Sequence, residues 1–271
     1  MQSKITGGDT TLLFTARILN KYDIKYYCCN QTGFIQTENP HWLSEAYSSA
    51  ITKLDVGLPH RNIYLADKLS PVLAKSFNSK GVFLDYAGGY GLFTRLMRDN
   101  GFNFYHTDQY CQNLFAENFE LKDLPAGTRF ELVTAFEVFE HLPDPLNEIK
   151  KMLEFSDSLI FSTELQPARV EKVEDWPYFA VETGQHIAFY TREALQAIAG
   201  QLGYNFYTDG KFIHLFTKTH FAKNPLPTQT RDSFLLRKLK KLVKKLENKP
   251  KLPESLLLKD FQYVKDKLNN K

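Results

Sequence analysis

Residues 82–97 read VFLDYAGGYGLFTRLM. Val82-Phe83-Leu84 is a short apolar run of the kind found in buried parallel strands, and Asp85 closes it. Ala87, Gly88, Gly89 and Gly91 then predict a small-residue turn, after which Leu92 to Met97 has the periodicity of an amphipathic helix. Small residues let a ligand lie against the backbone, and a helix start offers unpaired N–H groups. In open α/β sheets such a crevice, at the carboxyl end of a strand, is where a nucleotide-like cofactor sits. The turn is not a G-x-G-x-x-G dinucleotide fingerprint, because the residue three after Gly89 is Leu92. Nor is it a phosphate loop, since no Gly-Lys-Ser/Thr follows.

The spacing Asp85-x-Ala87-x-Gly89-x-Gly91 resembles the first motif of class I S-adenosylmethionine-dependent methyltransferases, D/E-x-G-x-G-x-G, with alanine at the first glycine. Further segments fit in order. Gly101 breaks the chain, Phe102 to His106 reads as a second strand, and Asp108 stands where the family places an acid for the ribose hydroxyls. Phe130 to Phe136 reads as a further strand, and Glu137-Val138-Phe139-Glu140-His141-Leu142-Pro143-Asp144-Pro145 is similar to the family's "EVLEHLPDP" segment. The resemblance covers about residues 60–220. It implies an α/β fold with a Rossmann-like, seven-stranded, mostly parallel sheet in the order 3-2-1-4-5-7-6, the last strand antiparallel. It also implies S-adenosylmethionine as cofactor, met by Asp85, Ala87, Gly88, Gly89, Gly91, Asp108, Gln109, Phe136 and Glu137.

Composition agrees with a soluble enzyme. The chain has 271 residues, 43% of them apolar, which is enough for a sizeable core. No apolar run reaches transmembrane length, MQSKITGGDT lacks a signal-peptide core, and three cysteines give no disulfide framework, so a cytoplasmic location is expected. The net charge of +3 conceals an asymmetry: residues 231–251 hold nine basic and two acidic side chains, leaving the remainder acidic. A nucleic acid is therefore not expected as a partner of the body.

Three regions follow: an N-terminal appendage (1–60), the methyltransferase-like domain (61–222), and a linker with a basic tail (223–271). In the appendage, Tyr26-Tyr27-Cys28-Cys29-Asn30-Gln31-Thr32-Gly33-Phe34 is similar to half of a zinc ribbon, but the ligands for a four-coordinate site are lacking and no zinc is expected. An ordinary β-hairpin with two buried cysteines is the alternative. Helices are predicted at about 44–54 and 63–77, with His41, Trp42, Arg61 and Asn62 as cleft candidates beside core packing for Trp42. Another helix and a short edge strand are expected after Asp108, and Asp123 is a candidate for the adenine amine. Thr191 caps a helix that Gly203 ends, and Tyr204–Thr208 and Phe212–Thr217 form a hairpin through Asp209-Gly210. Trp176-Pro177-Tyr178-Phe179 reads either as a stacking platform or as loop packing.

Glu137-x-x-Glu140-His141 and the later His186 carry the chemistry. The pattern resembles metal-dependent 2′-O-methyltransferases and quinone-biosynthesis O-methyltransferases. That resemblance implies Glu137, Glu140, His141 and His186 as ligands of Mg2+ or Mn2+, with His141 and His186 beside the acceptor. The alternative is a structural Glu-His turn with His186 as general base or cleft wall. The tail, with Phe234, Leu235, Leu239, Leu242, Val243 and Leu246 at helical spacing between lysines, predicts a basic amphipathic helix for an anionic membrane surface or a protein partner, or one packed on the body. The leading expectation is O-methylation of a sugar or glycan precursor. The alternatives are a small-metabolite or quinone-like O- or C-methyltransferase, and an inactive interaction module.

Overall fold

A computed structural model describes residues 1–48, 51–227 and 250–269. The predicted basic helix of 231–251 lies, but for its last two residues, outside the described residues.

The central sheet starts from β4 (Val82–Tyr86), the apolar run of the glycine-turn segment. It pairs in parallel with β5 (Asn103–Thr107) on one side and β6 (Leu132–Phe136) on the other, and β6 pairs in parallel with β7 (Ser158–Ser162). An antiparallel hairpin, β9 (Asn205–Thr208) and β10 (Ile213–Thr217), completes the order β5-β4-β6-β7-β10-β9. Successive residues of β4 face opposite sides. Phe83 packs with Leu69 of α2 (Leu58–Ser76) and with Phe93 and Met97 of α3 (Leu92–Asp99). Leu84 packs with Ile149 of α4 (Pro145–Leu153) and Ile198 of α5 (Arg192–Leu202). Asp144 caps α4, Thr191 Oγ1 accepts from Ala194 N at the start of α5, and Gly203 at φ +75° ends it.

The sheet has six strands where seven were expected. The third strand is reduced to a single parallel bridge, His106 with Glu120. One residue past this bridge the chain enters a 3-10 turn, Leu121–Asp123, where Asp123 Oδ2 accepts from Glu120 N and ends the strand. The helix expected after Asp108 is also absent. Asp108 Oδ1 takes the N–H groups of Tyr110 and Cys111, and Asn113 bonds both backbone groups of Ala116, so side chains outcompete helical pairing there. The helix predicted at 44–54 is one turn, α1 (Leu43–Ala46).

The N-terminal hairpin is β1 (Thr10–Ile18) with β2 (Tyr22–Cys29), followed by β3 (Ile35–Thr37). The fourth strand of this sheet, β8 (Ala188–Phe189), comes from the segment between β7 and α5. Trp42, 2% exposed, lies beneath the sheet with Trp176 and Phe179 and donates from Nε1 to Gly184 O at 2.8 Å.

A final helix, α6 (Leu257–Asn269), docks on α3. Asp260 accepts from Arg98 Nη2 at 2.7 Å, Arg98 Nε at 2.8 Å and Arg95 Nη2 at 2.8 Å. Arg98 also donates to Phe104 O and Asn103 Oδ1, and its guanidinium stacks 3.8 Å from the Phe119 ring centre. Tyr263 meets Phe119 and Lys267 pairs with Asp123, so α6 covers the sheet edge that lacks its strand.

Because α6 can leave the surface and let water reach Arg98, losing this contact costs less than breaking an ion pair locked in a core. Asp260→Asn should lower the unfolding free energy by about 2 kcal/mol in urea titrations. A change below about 0.5 kcal/mol, the scatter of surface substitutions, would show that the network does not hold α6 in solution.

Candidate active site

The turn after β4 follows the backbone its small residues permit. Ala87, Gly89 and Gly91 have φ of +53°, +59° and +80°. A Cβ on Gly88 would stand 2.4 Å from Asp85 Oδ2, and one on Gly91 would stand 2.3 Å from Asn113 Oδ1. Ala87 adopts the left-handed conformation in spite of its side chain, which costs about 1 kcal/mol. Asp85 lies under the turn at 1% exposure, accepting from Thr94 Oγ1 at 3.1 Å and Thr134 Oγ1 at 2.8 Å. Burial pushes its carboxyl up to about 6. It braces the turn from below.

Asp108 closes β5 beside the turn, where its Oδ2 accepts from Gly89 N at 2.9 Å. His106 Nε2 lies 2.9 Å from Gly89 O, and Ile51 Cδ1 would stand 3.3 Å from a Cβ on Gly89. The strand ends, the glycine turn and the segment around Ile51 thus enclose one crevice. Gln109 is exposed on its rim, and Phe136 is half-buried against Phe93.

The second half of the site springs from the end of β6. Glu137 turns the chain at φ +53°, and residues 139–141 form a single 3-10 turn. Ser162, at the end of β7, fixes Glu137 by donating to Oε1 at 2.7 Å and accepting from Glu137 N at 2.8 Å. Phe139 stacks on Phe161 with ring centres 3.8 Å apart, Tyr190 donates to Phe139 O, and Ile187 N donates to Glu140 O.

Glu140, His141 and His186 converge, with ligand atoms all within 4.8 Å of one another. Glu140 is fully buried. Its Oε1 accepts from Tyr178 Oη at 2.6 Å, while Oε2 has no hydrogen-bond partner among the described residues. His141 Nδ1 lies 3.0 Å from Gln185 O and His186 Nδ1 lies 2.6 Å from Tyr178 O. A carbonyl only accepts, so both imidazoles carry their proton on Nδ1 and keep a lone pair on Nε2. Loss of hydration lowers His141 to about 4 and His186 to about 3, so both are neutral near pH 7. The same burial raises Glu140 to about 7 and, with the nearby Glu140 charge, Glu137 to about 8.

Of the residues singled out in the sequence, Glu137 belongs to the same turn but its carboxylate is engaged by Ser162, outside the three-residue cluster. Arg61 faces both carboxylates closely enough to favour their ionised forms, and is paired with Asp55 at 2.7 Å. Asn62 caps backbone within its own helix, Trp42 is core, and His41 packs on Tyr22 and Trp42. Both carboxylate oxygens of Asp123 are taken, one by Glu120 N and the other by Lys267 Nζ. Tyr47, which packs on His141 and Tyr110, and Tyr178 as partner of Glu140 carry no motif that would mark them. Tyr178 is the member of the aromatic loop that reaches the site.

These carboxyls make stability depend on pH. Glu137 and Glu140 bind protons more tightly folded than unfolded, so their contribution is present at low pH and is lost as pH rises through about 7 to 8. The histidines act in the opposite sense but only below their usual 6.5. Between pH 6.5 and about 8 the urea midpoint of the metal-free protein should therefore fall relative to that of Glu137→Gln/Glu140→Gln. Parallel pH profiles for the two proteins would mean that neither carboxyl is held neutral by the fold.

No curated protein matches the chain in sequence. Similar solved structures include the plantazolicin methyltransferase BpumL in complex with SAH (10% identity, 67% of this chain and 95% of that one, TM-score 0.46). Another is a methyltransferase in calicheamicin biosynthesis in its SAH-bound form (12% identity, 66% and 67% covered, TM-score 0.41). A third is the 1,6-didemethyltoxoflavin-N1-methyltransferase of Burkholderia thailandensis (12% identity, 73% and 96% covered, TM-score 0.45). The family model for the methyltransferase domain matches residues 59–208, more than half of the chain and the whole span from α2 to β9. The chain belongs to the methyltransferase domain family.

Proposed function

We propose that this enzyme transfers the methyl group of S-adenosylmethionine to a hydroxyl of an acceptor with adjacent hydroxyl groups, a sugar or glycan precursor foremost. The observation that carries this reading is the buried, unpartnered Oε2 of Glu140 between two imidazoles that present only lone pairs. With Glu140 ionised, three acceptors meet there and none of them has a donor. Such a cluster is costly unless a hydroxyl proton or a cation completes it.

The glycine turn and Asp108 hold the cofactor in this reading. Asp108 accepts from Tyr110 N and Cys111 N through Oδ1 and from Gly89 N through Oδ2, which leaves a lone pair of Oδ2 for a ribose hydroxyl. The acceptor hydroxyl lies against Glu140, His141 and His186. It gives up its proton as its oxygen attacks the methyl carbon in line; the C–S bond breaks and the sulfonium becomes a neutral thioether. Glu140, near 7, is matched to receiving that proton at neutral pH, whereas the two histidines are too weakly basic and orient the hydroxyls through Nε2. Tyr178 fixes the Glu140 carboxylate, and Arg61 faces it with a positive charge.

The donor set also fits a divalent ion: one carboxylate and two neutral imidazoles, each steadied through its other nitrogen by a backbone carbonyl. Glu140, His141 and His186 would hold it, and Glu137 stands outside the set. Two nitrogens among three ligands favour Mn2+ or a similar transition ion over Mg2+. When bound, such an ion lowers the pKa of the acceptor hydroxyl.

Calorimetric titration with S-adenosylhomocysteine should give micromolar binding, weakened at least about tenfold by Asp108→Ala. A folded protein that does not bind it would end the cofactor reading. Separately, Mn2+ followed by electron paramagnetic resonance should bind the wild type and bind Glu140→Gln at least about tenfold more weakly. Equal binding by the two proteins would remove the ion and leave Glu140 as base.

A further inference from the structure

We infer that residues 3–8 and 29–34 are the two knuckles of a zinc ribbon whose central ion is replaced by hydroxyl groups donating to the Cys29 sulfur. The knuckles read Ser3-x-x-Thr6-Gly7-Gly8 and Cys29-x-x-Thr32-Gly33-Phe34, the spacing at which paired thiolates grip a tetrahedral ion. Only the second is visible in the sequence, because Ser3 and Thr6 are not metal-ligand residue types. In the fold the two are copies. Ser3 N donates to Gly8 O at 2.8 Å and Gly7 N to Ser3 O at 2.8 Å; Cys29 N donates to Phe34 O at 2.8 Å and Gly33 N to Cys29 O at 2.9 Å. Gly7 and Gly33 stand at φ +68° and +70°, a backbone that glycine adopts freely. The side-chain bonds repeat as well. Thr6 Oγ1 accepts from Gly8 N at 3.2 Å and Thr32 Oγ1 from Phe34 N at 3.4 Å. Ser3 Oγ accepts from Thr6 N at 3.3 Å, as Cys29 Sγ does from Thr32 N. An ordinary hairpin has no partner turn of matching bonds facing it.

The four ligand positions meet at one buried point. Ser3 is 4% and Cys29 1% exposed. Thr6 Oγ1 lies 3.5 Å from Cys29 Sγ, and the hydroxyls of Ser3 and Thr32 bond the same sulfur. Each hydroxyl accepts from backbone and has its O–H left for Sγ. Burial raises the Cys29 thiol, but the bonds from Ser3, Thr32 and Thr6 outweigh it and lower the group to about 6. One thiol and three alcohols are a poor set for Zn2+, which takes thiolate, imidazole or carboxylate. They are a complete set for a buried sulfur anion. O–H donors thus make the cross-link that an ion would make between the knuckles. The joint bears on the acceptor half of the enzyme. Thr191 Oγ1 donates to Thr32 O, Gln166 Nε2 to Gly33 O and Gln201 Nε2 to Ile5 O. From the second knuckle β3 runs on to pair with β8, which follows His186. This inference is independent of the identity of the methyl acceptor.

The test is Ser3→Cys/Thr6→Cys/Thr32→Cys in the full chain, kept reduced and titrated with Co2+. It should gain the intense sulfur-to-cobalt absorption of a four-thiolate site at one ion per chain, which Zn2+ displaces and a further Cys29→Ala abolishes. Co2+ at Glu140, His141 and His186 has no thiolate and gives no such band, so the result does not depend on the acceptor site. A triple variant that matches the wild type in circular dichroism but shows no band would overturn the inference. The wild type gives a second readout that needs no metal. Its ultraviolet absorbance should show one thiolate forming near pH 6, absent in Cys29→Ala, while Cys28 and Cys111, raised by burial, titrate well above it. In Ser3→Ala/Thr6→Val that midpoint should lie at least about one pH unit higher. A Cys29 that titrates like an ordinary thiol, or at the same pH in both proteins, would likewise overturn the inference.

Discussion

A carboxyl group enclosed by protein must be satisfied by protein, and at Asp85 that requirement organises the cofactor half of the molecule. The group sits where β4 ends, and its two partners come from elsewhere: Thr94 on α3 and Thr134 on β6. Three elements are thereby pinned at one point. The chain must pass directly over this point, which leaves no room for a side chain at Gly88. The glycine turn is therefore shaped from beneath by packing, while Asp108 ties the end of β5 to Gly89.

The acceptor half is ordered by a different device. The turn that carries Glu140 is fastened by groups remote in sequence: Tyr178 to its carboxylate, Ile187 to its carbonyl, Tyr190 to the carbonyl before it. All three come from the stretch between β7 and α5, and β8 within that stretch pairs with β3 of the N-terminal sheet. Trp42 reaches Gly184 and Gln185 Nε2 reaches Ala46 O, so the first fifty residues hold the loop that holds the histidines. The N-terminal region is in this sense part of the site.

What could be read in the sequence follows from how local each signal is. Strand β4, its turn and α3 were legible because a continuous apolar run gives way there, across a run of small residues, to a 3.6-residue period. The cap of α5 and the final hairpin were legible because each is written in adjacent residues. Asn113 broke the expected helix because a side chain can imitate backbone pairing, which periodicity does not register. The missing strand likewise reflects side chains, since Asp123 bonds Glu120 N and closes a 3-10 turn one residue past the only bridge made there. Tyr178 lies 38 residues from Glu140, and nothing short of the fold announces that contact.

Gly101 shows one further consequence. A Cβ there would stand 2.4 Å from Glu254 O, so the loop after α3 is pared down to admit a segment made about 150 residues later. On the ribosome, all strands of the sheet are complete before that segment emerges. Until then Arg98 and Phe119 stay hydrated, and the edge beside β5 stands open, with unpaired backbone available to any neighbouring strand. The segment that closes this edge is made after the sheet it protects, so the nascent enzyme is guarded against misassembly there only once α6 has emerged.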